Sequence, residues 1–503
     1  MAGQSGAEGG GKEARGFDEA VQRLSSLIVL GRAGQGTTVL PEVLRHCAAL
    51  GVDLGALNAI HIAGTKGKGS TSAFTERVLR QAGLRTGLFT SPHLIDIRER
   101  VRINGKLLPK ETFAKYFWEV HDTVLSDPAT EIHYFHFVTI LGFYIFSREN
   151  VQVAIVEVGL GGRLDATNAL PAPVVCAITL IDLDHVAILG DTHTLIAREK
   201  AGILKRGVPG VVFAEQPPEA LQAIQEVAHR VGAPLFIASP SPLSASSEGP
   251  EPRLGLRGGF QRKNAAVAVA LTRIWFARCG ALVAASAPAL SGWSKTCTGA
   301  FAPSALPWSP GSSPSMGAST GGRDEPASGS NGPASGTENG PASEAPGAPV
   351  EAYGAGLEGF EKEALAGTKW PGRAQIVEGQ LGGVKVHIDG AHTVESLRCC
   401  SAWFAEETKV SDRVRVLICN TTGGRGKQQL LSTLNLEAEG LGAAFGVVLF
   451  VPNDSSLEMV SVSGDGVKRA RSAGSYKEQY ALLQVWEALA EEGGASSSEP
   501  LGE

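Results

Sequence analysis

Between Phe17 and Phe213 short β-rich runs alternate with stretches of helical periodicity, and this alternation restricts the fold more than any other feature. Ala59-Ile60-His61-Ile62-Ala63 predicts a buried strand, and Thr71 to Gln81 the helix after it. Val153 to Val158 and Val174 to Thr179 predict two further strands. Upstream, Phe17, Val21, Leu24, Leu27 and Ile28 recur at helical spacing, so order is expected to begin near Phe17. Strand and helix taken in turn imply an α/β chain built on a mainly parallel, doubly wound sheet.

The pattern is interrupted late. A helix is expected over Gln261 to Arg278, after which residues 284–349 collapse into Ser, Gly, Pro and Ala. Such a stretch buries too little apolar surface to offset chain entropy, so it reads as a disordered insertion in a surface loop. Order resumes near Leu357, and beyond Trp370-Pro371-Gly372-Arg373 a second α/β region begins. There Val384 to Ile388, Val414 to Cys419 and Val447 to Val451 predict strands, and Val394 to Phe404 a helix. The expected organisation is a tail at 1–16, a large domain at 17–370 carrying the insertion, a smaller one at 371–491, and a polar tail at 492–503. A chain of 503 residues is long enough for two or three cores.

Composition excludes some functions. A net charge of -6 argues against a nucleic-acid binder, which needs a basic footprint, but allows a local basic cleft for small anions. With 43% hydrophobic and 19% charged residues and no apolar run of membrane-spanning length, a globular enzyme away from the membrane is expected. Seven cysteines, none in a Cys-x-x-Cys pair, suit a reducing compartment. Residues 1–16 show neither a signal-peptide nor a transit-peptide pattern, so a cytosolic address is expected; a mitochondrial or plastid isoform with another start stays open.

The strongest chemical signal is Gly64-Thr65-Lys66-Gly67-Lys68-Gly69-Ser70, set between strand and helix. Glycines let backbone N–H groups wrap phosphates, and a helix N-terminus adds its dipole. Lys68 would reach the β- and γ-phosphates, and Ser70 or Thr71 could hold Mg²⁺. The strict P-loop spacing is not met, because residue 62 is Ile and Gly69 follows Lys68, so an ordinary glycine turn stays open. Thr90-Ser91-Pro92-His93-Leu94 precedes Arg98 to Gly105, which reads either as an anion site or as a turn with an exposed basic strand. Glu157 ends a predicted strand, where ligands sit in open parallel sheets, and either binds Mg²⁺ or forms a structural salt bridge. Asp182-Leu183-Asp184-His185 ends the next strand and adds an imidazole, as a ligand or as a structural His.

Taken together and in order, these motifs resemble the folylpolyglutamate synthase and dihydrofolate synthase family, relatives of the Mur peptide ligases. The resemblance also rests on Gly159 to Asn168, Leu189 to Thr192, Arg198 to Ile203, Gln261 to Ala265, Trp370 to Arg373 and Asp389-Gly390-Ala391-His392. It implies a P-loop-type ATPase domain followed by a smaller Rossmann-like domain. By the same resemblance Gly64 to Thr71, Asn264, Arg373, Asp389 and His392 contact the nucleotide. Ser70, Ser91 and Glu157 match ligands of one Mg²⁺, Glu157 and His185 those of a second. Lys200 falls where relatives carry a carbamylated lysine, and Asp165 where they contact the pterin. Lys68, Lys200 and His185 are the catalytic candidates; ATP is a substrate, and a monovalent cation is a further candidate occupant.

The chain departs from the family pattern at Val186, at Thr393 after His392, and in Asn420 to Gly426, which lacks the usual Arg-Asp pair. The implied reaction is ATP-dependent ligation of L-glutamate to a folate γ-carboxylate by a monomer, with folate, glutamate and ATP as partners. Two rivals stand beside it: a dihydrofolate synthase or bifunctional enzyme accepting dihydropteroate, and an inactive nucleotide-binding module whose insertion recruits a partner.

Overall fold

A computed structural model describes residues 15–30, 40–126, 130, 132–240, 243, 250–280, 350–351, 356–379, 384–409, 413–419, 426–450 and 482–485. The expected tails (apart from Arg15 and Gly16), the insertion at 284–349, residues 420–425 and Val451 lie outside these residues. Contacts divide the chain into two compact units, one of residues 1–255 and 262–368, the other of 256–261 and 369–503.

The first unit opens with α1 (Phe17–Leu30), whose Ala20, Leu24 and Leu27 form a buried stripe, and α2 (Leu40–Ala49). There follow β1 (Ile60–Ala63), α3 (Lys68–Gln81), β2 (Thr86–Phe89) and a short hairpin, β3 (Val101–Ile103) and β4 (Lys106–Leu107). Next come α4 (Lys110–Val124), α5 (Tyr134–Arg148), β5 (Val153–Glu157), β6 (Val175–Ile178), α6 (Val186–Leu189) and α7 (His193–Ala201). The unit continues through β7 (Gly210–Phe213), α8 (Pro218–Val231), β8 (Leu235–Ala238), α9 (Gln261–Arg278), β9 (Val350–Glu351) and α10 (Gly359–Gly367).

These strands form one nine-stranded sheet in the order β4-β3-β2-β5-β1-β6-β7-β8-β9. It is parallel from β2 to β9, with β3 and β4 added antiparallel at one edge. Strands β1, β2, β5, β6 and β7 are buried along their whole length, as a parallel sheet covered on both faces requires. On one face of the sheet, the one shared by Val156 and Cys176, the core includes a cluster built on α1, α2, α4 and α5 and another built on α7 and α8. Strand β1 lies between β5 and β6, so the chain crosses from one side of β1 to the other between them.

Two expectations are corrected. The helix after β1 begins at Lys68, three residues before Thr71, because Gly67 already serves as its N-cap. The basic stretch Arg98 to Gly105 is no exposed strand. A capping box of Asp96 and Glu99 closes a 3₁₀ turn over Ile97–Arg100, Arg100 is buried, and the chain then reverses at Asn104-Gly105, the pair a two-residue hairpin favours.

In the second unit β10 (Gln375–Val377) pairs antiparallel with β11 (Val386–Ile388), and α11 (Val394–Thr408) follows. Strand β12 (Val416–Cys419), α12 (Lys427–Gly440) and β13 (Val447–Phe450) make a βαβ unit with β12 and β13 parallel.

Candidate active site

The loop after β1 is shaped by two close approaches. Gly64 leaves the strand at φ 145°, where a Cβ would lie 1.8 Å from Thr179 Oγ1, on the residue after β6. Gly67 stands at φ 86°, and a Cβ there would lie 2.0 Å from Asn264 Oδ1 at the start of α9. Between them the Thr65 and Lys66 N–H groups both donate to the Leu180 carbonyl at 3.0 Å. No side-chain hydrogen bond caps α3 at Gly67, and helix geometry leaves its first-turn N–H groups without intrahelical acceptors. A helix end of this kind is able to receive an anion. Lys68 Nζ donates back to the Gly64 carbonyl at 3.0 Å, within the same loop. Ser70 and Thr71 are buried on the first turn, so the structure brings Gly64 to Thr71 and Asn264 together.

A carboxylate stands on the neighbouring strand. Glu157, 4% exposed, ends β5 in register with Ile62 of β1. Its Oε2 accepts the Ser91 N–H at 3.1 Å across the end of β2. On the other side of β1, the exit of β6 carries Asp182, whose carboxylate is 3.8 Å from Lys66 Nζ. His185 follows in the left-handed region at φ 53°, N-capping α6, with Nε2 3.8 Å from Asp184 Oδ2. A non-glycine residue held there is a strained conformation of the kind that collects at functional sites.

Lys200, on α7, is 4% exposed. Burial, with the Lys68 charge adding to it, pushes its ammonium down to about 7 against the pull of Asp184 and Asp165. It reaches this place because α7 packs tightly on the Gly159 to Asn168 loop: a Cβ on Gly162 would lie 2.7 Å from the Lys200 carbonyl. The Arg163 N–H also donates to the Glu199 carbonyl at 2.8 Å.

Asp165 is buried within that same loop. Its Oδ1 accepts the Thr167 N–H at 3.0 Å and the Thr167 hydroxyl at 2.5 Å, and its Oδ2 the Leu160 N–H at 2.9 Å. Burial raises its carboxyl above the usual range, while these donors pull it back. Asp165 therefore fixes the shape of its own loop.

In the second unit, Arg373, Asp389 and His392 form one cluster around the β10 and β11 pair. Asp389 Oδ2 accepts the Ala374 N–H at 2.7 Å, burial raises its carboxyl, and Ala374 itself sits at φ 43°. Arg373 packs on Gly390, where a Cβ would meet its Nη1 at 2.3 Å. His392 Nδ1 lies 2.8 Å from the Gly390 carbonyl, an acceptor, so Nδ1 carries a proton.

Among the described residues no three His, Cys, Asp or Glu side chains gather as a protein-only metal cage. Glu157, hydrogen-bonded to the Ser91 backbone, offers one hard oxygen ligand beside hydroxyls on adjoining elements. That donor set fits Mg²⁺, which keeps water and takes phosphate oxygens with one or two carboxylates. Sequence reasoning missed Gln216 and Thr179. Gln216 donates to the Thr179 carbonyl at 2.9 Å and accepts the Ile181 N–H at 2.9 Å, pinning the exit of β6 against which Gly64 packs. A polar residue just past the apolar β7 was the one signal available.

No protein-family profile matches the chain. Among curated proteins it is similar to the mitochondrial folylpolyglutamate synthase of Bos taurus, 35% identical over 464 residues, covering 87% of this chain and 68% of that one. It is also similar to a folylpolyglutamate synthase of Arabidopsis thaliana, 33% identical over 512 residues, covering 94% and 77%. Among solved structures the folylpolyglutamate synthase of Thermotoga maritima superposes with a TM-score of 0.61 at 20% identity, covering 96% of this chain and 92% of that one.

Proposed function

Because this chain belongs to the folylpolyglutamate synthase family, we propose that it joins L-glutamate to the γ-carboxylate of a folate using ATP. The observation that carries this reading is the pairing of Ile62 with Glu157, which sets the uncapped, glycine-lined helix end beside a buried carboxylate. An anion-binding loop next to a metal-binding carboxylate is what phosphoryl transfer needs, since that chemistry is mostly positioning and charge stabilisation.

In this mechanism the first-turn N–H groups of α3 hold the ATP phosphates, and Lys68 swings from the Gly64 carbonyl to the β- and γ-phosphates. Glu157, Ser70 and Ser91 would hold Mg²⁺, which neutralises charge on the phosphates when bound. The folate γ-carboxylate attacks the γ-phosphorus, ADP leaves, and an acyl phosphate results. The neutral amine of glutamate attacks the acyl carbon and inorganic phosphate departs. Burial, with Lys68 adding to it, lowers the Lys200 ammonium to about 7 and so favours the unprotonated amine, the form that adds CO₂. As a carbamate it would, with His185 and Glu157, supply ligands for a second Mg²⁺. Arg373, Asp389 and His392 are assigned to the nucleotide, and Asp165 to the pterin side through its loop. We assign the protein to the cytosol, an address that the free thiols of its described cysteines suit, and treat it as a monomer.

Incubation with ATP, Mg²⁺, glutamate and tetrahydrofolate, followed by mass spectrometry, tests the reading. Successive glutamyl additions support it. Addition to dihydropteroate alone transfers the assignment to a dihydrofolate synthase, and ATP binding without glutamate-dependent phosphate release would mark an inactive nucleotide-binding module.

A further inference from the structure

Histidine 61 is the one polar side chain of β1, fully buried in the middle of the sheet. Its Nε2 lies 2.9 Å from Thr167 Oγ1, and Thr167 Oγ1 lies 2.5 Å from Asp165 Oδ1. Its Nδ1 is buried with no hydrogen-bond partner. These facts fix the direction of the chain. If Nδ1 carried the proton, a buried N–H donor would be orphaned, which folded proteins rarely tolerate; a bare Nδ1 leaves only an under-used acceptor. The proton therefore sits on Nε2 and is donated to Thr167, whose single hydroxyl proton is then committed to Asp165. Burial, with Lys205 nearby, holds the imidazole neutral by pushing it down to about 3.

We propose that His61 is a positioning residue for the acceptor side of the site, pinning the Gly159 to Asn168 loop to the strand that ends in the nucleotide loop. The far end of that loop is anchored independently. Asn168 Nδ2 donates to the Arg163 carbonyl at 3.0 Å and the Gly202 carbonyl at 3.2 Å, and Lys205 Nζ to the Asn168 carbonyl at 3.4 Å. Beside the Val158 N–H bond to the Ile62 carbonyl at the loop's entry, the hydrogen bond from His61 is thus a side-chain tie that holds Thr167, and through it Asp165, to β1. The functional part of this inference rests on reading the loop as the wall that faces the folate.

The test compares His61→Leu, which removes donor and orphan acceptor together in nearly the same volume, with His61→Gln, whose amide keeps a donor of similar reach. His61→Leu is expected to raise KM for tetrahydrofolate about tenfold, the loss of one buried hydrogen bond. KM for ATP is expected to stay within about twofold, because the nucleotide loop keeps its own ties to Leu180 and Asn264. His61→Gln is expected to recover most of the loss, and Thr167→Val added to His61→Leu to do little more than either alone. Equal rises in both KM values, additive effects of His61→Leu and Thr167→Val, or a drop in Tm without any change in acceptor KM would each overturn the proposal. Nitrogen-15 NMR of the imidazole in the intact protein gives an activity-free readout: an Nε2–H tautomer supports the relay, and an Nδ1–H tautomer refutes it. Wild-type protein that elongates no folate, yet shows the Nε2–H tautomer, would instead place the failure in the functional reading.

Discussion

Substituting the two loop glycines by alanine should have unequal effects. At Gly67 the backbone is left-handed at φ 86°, which an L-residue adopts at roughly 1–2 kcal/mol. The atom its Cβ would meet, Asn264 Oδ1 at 2.0 Å, ends a side chain that can rotate away. Gly67→Ala should therefore weaken ATP by roughly 5- to 30-fold, about 1.4 kcal/mol per factor of ten. At Gly64 the φ of 145° costs roughly 1–3 kcal/mol by itself. Here the Cβ would also lie 2.9 Å from Thr179 Cβ and 3.0 Å from the Thr179 backbone nitrogen, which no rotamer relieves. That nitrogen is held by its 2.9 Å hydrogen bond to the Ala63 carbonyl, so the loop itself must shift, adding roughly 1–3 kcal/mol of overpacking. Gly64→Ala should accordingly lose at least about 30-fold in ATP affinity, and more than Gly67→Ala under the same conditions. Titration with a non-hydrolysable ATP analogue, alongside Tm for each variant, reads both numbers. Gly64→Ala with affinity within about threefold of wild type and an unchanged Tm, or a reversed order of the two variants, would refute the account of the loop.

Glu157→Gln keeps the volume and an oxygen for the Ser91 N–H, so glutamyl transfer should vanish while Tm stays put; a fully active variant would sink the metal assignment. Lys200 leads to two expectations. Activity should rise with added bicarbonate, and Lys200→Arg, which stays charged, should be inactive whatever the bicarbonate. Linkage gives the second: an unfolded lysine keeps its proton to about 10.5, whereas folded Lys200 releases it at about 7. Between those values the unfolded chain binds more protons, so this group adds stability as pH rises, and Lys200→Met should flatten the rise in urea midpoint from pH 7 to 9. The Arg273 and Glu361 pair, 2% and 0% exposed and joined at 2.7 and 3.0 Å, is buried outright. Glu361→Gln leaves the guanidinium uncompensated and should cost about 3–5 kcal/mol by chemical denaturation, whereas Arg273→Met with Glu361→Leu should come much closer to wild type.

The sequence by itself determined whatever depends on neighbours along the chain. Buried strands announce themselves by continuous apolar runs, and β1, β5 and β6 lie where Ile60, Ile155 and Cys176 said they would. Helical periodicity gave α9 its bounds, Gln261–Arg278. Glycine spacing after β1 marked the loop where Gly64 meets Thr179 and Gly67 meets Asn264, because close backbone approach leaves a local composition. Arg98 to Gly105 misled, since its charges pair with Asp96 and pack on His93, partners that alternation alone does not reveal.

Tertiary structure decided whatever depends on distance across the fold. It set Glu157 against Ser91, buried Lys200, with Lys68 nearby, so that it loses its ordinary basicity, and turned both Asp165 oxygens onto its own loop. It also gave His61 a role: in the sequence it is one polar residue in an apolar strand, and only the approach of Thr167 makes it the start of a hydrogen-bonded chain. Periodicity reports which face a side chain takes, but hydrogen-bond direction and a shifted proton affinity are set by partners that folding brings from elsewhere in the chain.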